Sequence, residues 1–560
     1  MDTIHSLIDE SCRKFGDRPA FLHKTGGVWR ETLYDKLRTT TEHIAAGLTK
    51  CGFQPGDHAA LLAPSSPLWV MAYLGILKAG GVVVPIDREL RSNELRHILT
   101  HSEARVLFTD EDHFEAVLAM ADELPSLRSV VTLDSPDGVK RTLVVGVNSG
   151  RCDVLPFHEL LHEVEFSFVP RRPDDTALIL YTSGTTGRAK GAMLSHANIV
   201  SNIRGAAAHL KVDQRVHTLS FLPINHVFEQ VCGILLPLSL GGRVSFCESL
   251  KKLGENLAEN KPTFFVGVPA FYRLIFDRIM KKIEKHGVSR LLVAFPPTRP
   301  LVYSRIRKKL GSGTIFISGG AALDPAISRG FARLGITIYQ GYGITETSPV
   351  IAAESPDGSR NGTVGRVMPG IAVRIDDPND ERVGEILVRG PNVMQGYFKD
   401  PEATAEVLAD GWYRTGDLGR LDDEGFLWIC GRAKNLIVTP NGRNVYPEEV
   451  ENEILKSPFI AEVVVYAHKT GPVEEEIRAM IHPAREALEE YAKGQGKESL
   501  SSAELESLIR AEIGSAGKRL ADYKRVRNFT IREEEFPKTT TRKIKRFEVE
   551  AMKPCNRKPD

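Results

Sequence analysis

The stretch Tyr181-Thr182-Ser183-Gly184-Thr185-Thr186-Gly187-Arg188-Ala189-Lys190-Gly191 follows directly on the apolar run Ala177–Leu180. An apolar strand that empties into a glycine-rich turn suits backbone N–H groups to a phosphate. Gly184, Gly187 and Gly191 let the chain turn sharply. The hydroxyls of Thr182, Ser183, Thr185 and Thr186 and the ammonium of Lys190 add donors for phosphate oxygens. This is not a Walker A loop, which needs Gly before its Lys and Ser or Thr after it; Ala189 and Gly191 fill those places. A plain surface loop explains a lone glycine-rich run as well, but this string is more specific than that.

Around it, β-rich runs alternate with helical patterns. Ala59–Leu62, Val82–Ile86, Arg105–Thr109 and Ala177–Tyr181 read as strands, with amphipathic segments such as Arg91–Thr100 between them. The most apolar stretch, Trp69–Ile86, is broken by Lys78 and Gly80-Gly81 and reads as a buried helix turning into a strand, not a membrane span. A helix is predicted from Asp324 as N-cap and Pro325, through Ile327, Phe331 and Leu334 on one face, to a stop at Gly335; Ile336–Tyr339 then reads as a strand. Beyond Ile371 the texture is more β-rich, with strands at Gly384–Arg389 and Gly425–Ile429. The block 431–552 reads as a small α+β unit with helices at Pro447–Leu455 and Ser501–Ile513 and a strand at Ala461–Tyr466.

The 560 residues are enough for three or four domains or subdomains. With 42% apolar and 26% charged residues the chain is not intrinsically disordered. A net charge of +1 gives no global field for nucleic acid or an anionic membrane, and no nucleic-acid partner is expected. The seven cysteines are scattered without a Cys-x-x-Cys pair, which argues against a disulfide framework or zinc site and for a reducing, cytoplasmic setting. Asp2, Asp9 and Glu10 interrupt the N-terminus before an apolar run develops, so no secretory signal is expected and any membrane contact is peripheral.

The glycine-rich string resembles the phosphate loop of the adenylate-forming superfamily, with Ala189 where that family usually has proline. Four further stretches resemble its motifs in the same order. They are Gly341-Tyr342-Gly343-Ile344-Thr345-Glu346-Thr347, Tyr413-Arg414-Thr415-Gly416-Asp417, Gly431-Arg432-Ala433-Lys434 with Gly442–Glu449, and Pro537–Ile544. The resemblance is strongest to bacterial long-chain fatty acid:CoA ligases. It implies an α/β fold: an N-terminal body (1–430) of packed α/β subdomains plus a β-rich subdomain, a hinge (431–434), a small mobile α+β lid (435–552) and a tail (553–560).

The resemblance also implies roles. ATP or AMP would be held by Thr182, Ser183, Gly184, Thr185, Thr186, Gly187 and Lys190, by Gly319, Gly320 and Ala321, by Gly341, Tyr342, Gly343 and Thr345, and by Asp417 and Arg432. Tyr342, flanked by glycines, can lay its ring on a purine; alone it reads as a packed core aromatic. Glu346 is a hard oxygen ligand suited to Mg²⁺, though by itself a solvated loop acid. Asp417 can accept from both ribose hydroxyls; beside Gly416 it is equally a turn aspartate.

Lys538–Arg546 holds five cations without an interleaved aromatic, and the resemblance selects Lys543 as catalytic, with Arg542 where glycine is common. His226 and Thr345 are the other implied catalytic residues. Bare, His226 reads as a core histidine at the start of an apolar helix, where Val231, Cys232, Ile234 and Leu235 suit an acyl pocket wall or a plain core. Glu229 and Gln230 stand where one long-chain relative has a tryptophan gate. Lys434 is the implied pivot. The expected reaction joins a fatty acid to coenzyme A through acyl-AMP, at the expense of ATP and with Mg²⁺. Loading of a carrier protein, an aryl or medium-chain acid as substrate, and an idle binding protein remain alternatives.

Overall fold

The computed structural model describes residues 2–133, 145–147, 150–161, 169–182, 189–311, 313–439, 443–469, 475–539, 544–550 and 552. Its internal contacts divide it into two units, Met1–Val373 with Val388–Tyr413, and Arg374–Leu387 with Arg414–Asp560.

In the first unit a nine-stranded sheet runs in the order 396–397, 190–195, 176–182, 82–85, 58–62, 106–109, 129–132, 150–156, 145–147. Its middle is parallel, and Val82–Pro85, His58–Leu62 and Val106–Thr109 are almost wholly buried. Strands covered on both faces lose the polar alternation of an open sheet, which is why these runs are nearly continuous in Ala, Val and Leu. Lys190–Ser195 returns antiparallel beside Thr176–Thr182. A second sheet holds Phe264–Gly267, Ile315–Ser318 and Ile338–Gly343 in parallel, followed by two antiparallel strands. A third joins Pro19–Thr25, Val28–Leu33, His217–Ser220 and Arg243–Phe246.

The apolar stretch after Ser66 is the helix Pro67–Lys78, whose N-cap Ser66 Oγ accepts from the Trp69 N–H at 3.2 Å, and it is buried on all sides. Its Gly75 lies against the helix Tyr34–Lys50: a Cβ there would stand 2.5 Å from Ile44 Cγ2. Gly75→Ala should therefore cost about 1–3 kcal/mol of unfolding free energy, read by urea denaturation; an unchanged midpoint would mean that the two helices move apart at no cost.

The capped helix at Asp324 runs Pro325–Arg333, with Asp324 Oδ1 accepting from the Ala326 N–H at 2.7 Å and Gly335 at φ +76°. The next strand begins at Ile338, not Ile336, because the Ile336 N–H is spent on the Phe331 carbonyl at 3.0 Å, closing the helix end. No helix among the described residues is long and apolar enough to cross a membrane.

In the second unit, residues 417–421 pair antiparallel with Leu427–Arg432. That strand starts two residues later than Gly425, which is held in the turn by its N–H to the Asp422 carbonyl at 3.0 Å. Ile460–Lys469, Glu475–Pro483 and Asn528–Ile531 form a separate sheet, packed by the helices Pro447–Ile454 and Ser502–Gly517 around Val450, Val465, Ala479, Ile481 and Ile509. Ser501 caps the latter helix, in a capping box with Glu504.

Candidate active site

Within the first unit, Thr182 and Lys190 are register partners at the two ends of the glycine-rich turn. Ser183, Gly184, Thr185, Thr186, Gly187 and Arg188 lie outside the described residues. The antiparallel pairing brings Lys190 back beside the strand it left. Its Nζ stands 5.3 Å from the ring centroid of Tyr397. Tyr397 belongs to the edge strand Gly396–Tyr397, paired with Ala192 and Met193. Its hydroxyl donates to Glu346 Oε1 at 3.1 Å and lies 3.5 Å from the Tyr413 hydroxyl. Burial, and then the Glu346 charge, push the Tyr397 phenol up, so it stays a donor.

Glu346 sits on the short turn Thr345–Thr347 that follows the strand Ile338–Gly343. Local hydrogen bonds hold that turn: Thr347 Oγ1 to the Pro349 carbonyl at 2.7 Å, Asn392 Nδ2 to the Thr347 carbonyl at 2.9 Å, and the Met394 N–H to the Glu346 carbonyl at 2.8 Å. A lysine and a carboxylate thus come together about one tyrosine that no sequence motif had singled out.

Gly319, Gly320 and Ala321 follow the carboxyl end of Ile315–Ser318, where Ser318 pairs with Gln340 of the adjacent strand; Gly341, Tyr342 and Gly343 come next on that strand. Both glycine segments therefore leave neighbouring strands at the edge where open α/β sheets place their ligands. Gly343 is a close-approach position: a Cβ there would lie 1.9 Å from the Pro349 carbonyl oxygen. Gly319 is another, with Phe228 Cζ at 2.8 Å from its would-be Cβ. Phe228 thereby ties the His226 turn, closed by the His226 N–H on the Pro223 carbonyl at 3.1 Å, to the Gly319 segment.

The segment after Phe228 corrects the expected apolar α-helix. Glu229–Leu235 is a π-helix of seven residues. Pro237 has no N–H to give to the Gly233 carbonyl four residues back, and Thr218 Oγ1 takes that carbonyl at 2.7 Å instead. Glu229 and Gln230 are each 1% exposed. Among the described residues Glu229 Oε1 and Gln230 Oε1 have no hydrogen-bond partner. Burial pushes the Glu229 carboxyl up to about 8. Pro237, directly after the run His226–Leu236, was the signal in the sequence that this helix is irregular.

In the second unit, Asp417 and Arg432 are register partners, and Arg432 Nε donates to Asp417 Oδ1 at 2.6 Å. Asp417 is 4% exposed and Arg432 is exposed, so the pair opens on one side to solvent. Lys434 is exposed on the turn Ala433–Asn435, which Asn435 Nδ2 fastens to Glu448 Oε1 at 2.6 Å. Lys543 lies outside the described residues, with Gly442 and Thr540–Arg542. Both flanks of 540–543 are described and are pinned together: Lys538 pairs with Ile544, and the Lys545 N–H donates to the Pro537 carbonyl at 2.8 Å. Arg546 is anchored on Glu451 at 2.5 Å and on the Val465 carbonyl at 3.2 Å. Burial lifts the Glu451 carboxyl to about 7 even against that guanidinium.

Among the described residues there is no group of three or more His, Cys, Asp or Glu side chains able to hold a metal ion. A lone carboxylate such as Glu346, held by the Tyr397 hydroxyl, is a hard oxygen donor of the kind Mg²⁺ accepts when phosphates supply its other ligands.

Strands that end in glycine turns, with a lysine and a carboxylate about a buried tyrosine, mark an α/β enzyme whose groups suit an anionic ligand. A family model described as AMP-binding enzyme matches residues 8–398, and the chain belongs to that family. It is 30% identical to the long-chain-fatty-acid–CoA ligase FadD15 of Mycobacterium bovis, over 97% of this chain and 94% of the relative. The fold is similar to ATP-bound MatB from Rhodopseudomonas palustris, at TM-score 0.77 and 26% identity over 98% of both chains. It is also similar to the adenylation domain of a carboxylate reductase from Mycobacterium chelonae, at TM-score 0.82 and 22% identity over 98% of this chain and 90% of that one.

Proposed function

We propose that the protein is an AMP-forming acid–thiol ligase that converts a fatty acid, preferentially a long-chain one, into its coenzyme A thioester. The observation that carries this reading is the likeness to a long-chain-fatty-acid–CoA ligase across nearly the whole of both chains. The chemistry explains the residues. A carboxylate is a poor acyl donor, because its leaving group would be oxide. Its oxygen therefore attacks the α-phosphorus of ATP, the bond to pyrophosphate breaks, and a mixed anhydride with AMP remains. The thiol of coenzyme A then attacks the acyl carbonyl, loses its proton to solvent, and AMP leaves.

In the first step two anions must meet. Donors from Thr182 to Lys190 hold the phosphates, and Lys543 stands between the α-phosphate and the carboxylate as a point charge. Glu346 would hold Mg²⁺ together with the nucleotide phosphates, and the ion supplies charge against the departing pyrophosphate. The Tyr397 hydroxyl keeps Glu346 aimed, and the Lys190 ammonium rests on the same ring. Gly319–Ala321 and Gly341–Gly343 line the base, with Tyr342 as its stacking face, and Asp417 takes the ribose hydroxyls while Arg432 holds Asp417 in place. Thr345 donates to a phosphate, and His226 orients the carboxylate at the mouth of the acyl pocket. We place the hinge at 431–434 with Lys434 as pivot, turning 435–552 between the two steps against a body of 1–430.

Pyrophosphate release and thioester formation, measured with saturated acids from butyrate to stearate plus ATP and coenzyme A, should rise with chain length. A maximum at butyrate or at benzoate would overturn the long-chain assignment. Acyl transfer to a carrier protein in place of coenzyme A would overturn the acceptor.

A further inference from the structure

The helix Ser92–His101 ends against the base of the glycine-rich turn, among residues that the ligase chemistry leaves unused. Tyr181 is the last residue before Thr182, and it pairs in register with Gly191, the first residue after Lys190. The Tyr181 ring lies close over the return strand: a Cβ at Gly191 would stand 3.3 Å from Tyr181 Cζ. Its hydroxyl reaches the helix end, 2.8 Å from His101 Nδ1. Tyr181 and Phe398 both pack on the core that includes Leu95, Ile98 and Leu99 of that helix.

The return strand is held at the same corner. The Gly191 carbonyl accepts from the Phe398 N–H at 2.7 Å, and the Phe398 ring meets His101 edge to face at 5.7 Å and His58 at 5.3 Å. His58 Nδ1 donates to the Ser102 carbonyl at 2.5 Å. Lys399 Nζ donates to the His101 carbonyl at 3.2 Å and pairs with Glu103 at 2.8 Å, a cation where a helix end favours one. One imidazole therefore touches both arms of the turn, by a hydrogen bond on the outgoing strand and by a ring contact on the segment bonded to the returning one.

Burial, and then His97 and Lys399, hold the His101 imidazole below its usual range against the pull of Asp400 and Glu103. The ring is neutral at neutral pH, so its tie to Tyr181 is a hydrogen bond and not a charge acting on a ligand from a distance. Glycine loses more freedom on ordering than any other residue, and a ligand gripped by a glycine-rich turn meets that cost unless the fold has met part of it already. We infer that His101 is a positioning residue for ATP, fixing the two ends of the phosphate turn through Tyr181 on one strand and Phe398 on the other. The inference rests on the reading of Thr182–Lys190 as the holder of the ATP phosphates.

The test is isothermal titration of the full-length chain with ATP and with AMP, both with Mg²⁺. Tyr181→Phe and His101→Phe each keep a ring and remove one side of the hydrogen bond. Each should raise the Kd for ATP about three- to tenfold. The Kd for AMP, which lacks the β- and γ-phosphates, should stay within about twofold of the parent and shows in the same titration that the variant is folded. The double variant should bind ATP no more weakly than either single one, because one bond is lost only once. His101→Asn, whose amide can stand where Nδ1 does, should recover most of the affinity. Unchanged ATP affinity in the two phenylalanine variants, additive losses in the double variant, or equal losses for ATP and AMP would each overturn the inference. A parent that binds no ATP would overturn it together with the phosphate role of Thr182–Lys190. No acid or thiol enters the titration, so this result and the fatty-acid series can fail independently.

Discussion

Lys543→Ala should slow acyl-AMP formation by about 10²–10³-fold and leave thioester formation from supplied acyl-AMP close to the parent rate. The first step brings a carboxylate against the triphosphate, and negative charge is already present on both reactants. A cation fixed between them is worth most when water is excluded and the geometry is set beforehand. Either side of 540–543 the described chain is held together: Lys538 bridges to Ile544, and Arg546 is bonded to Glu451. In the second step the phosphate is a leaving group and the thiol is the nucleophile, so the same cation has less to neutralise. Acyl-AMP formation is read as pyrophosphate release in a single turnover without coenzyme A; thioester formation is read with synthetic acyl-AMP. Equal loss in both half-reactions would remove Lys543 from the adenylation step and make it a structural residue. Lys543→Arg, which keeps the charge and loses the compact ammonium, should fall between the parent and the alanine variant.

Much of this framework was legible because local rules and burial agreed. The runs at residues 58–62 and 82–85 are apolar for the same reason that they are strands in the middle of a parallel sheet. Asp324, Pro325 and Gly335 punctuate a helix that the structure bounds at the same places. What escaped was non-local. Tyr397 carries no motif of its own, and only the pairing of residues 396–397 with the return strand 190–195 brings it to Lys190 and Glu346. The π-helix at Glu229–Leu235 depends on Pro237 and on Thr218 from another strand, and helical periodicity cannot register either. Ser183–Gly187 and Lys543, the most specific parts of the sequence argument, lie outside the described residues, so their roles rest on the resemblance, and the two half-reactions above test that of Lys543.

The stability of the folded protein should peak a little below pH 6.5 and fall on both sides, because two sets of buried groups titrate in opposite senses. Burial takes the His5 imidazole down to about 4 and those of His196 and His217 to about 3, from 6.5 when unfolded. Between those values the unfolded chain binds more protons than the folded one. Stability contributed by the neutral rings is complete above pH 6.5 and is lost as the pH falls, at about 1.4 kcal/mol per pH unit for each ring fully in its window. His5 and His196 meet edge to face at 5.4 Å, so protonating one opposes protonating the other. The two acids below offset most of that loss down to pH 4.5; under pH 4.5 the three rings act unopposed, and stability falls steeply against a total of roughly 5–15 kcal/mol. The acids run the other way. Glu229 holds its proton to about 8 and Glu451 to about 7, while an unfolded glutamate releases it near 4.5. Their contribution is complete below pH 4.5 and is lost as the pH rises through those values. Glu229→Gln keeps the shape of the side chain and removes the ionisation. Relative to the parent it should gain about 3–4 kcal/mol between pH 5 and pH 8. Urea unfolding of parent and variant at each pH measures both limbs. A parent without the acid limb would show the buried histidines to be protonated or hydrated in the fold, and a variant with the parent's alkaline slope would remove Glu229 as its source.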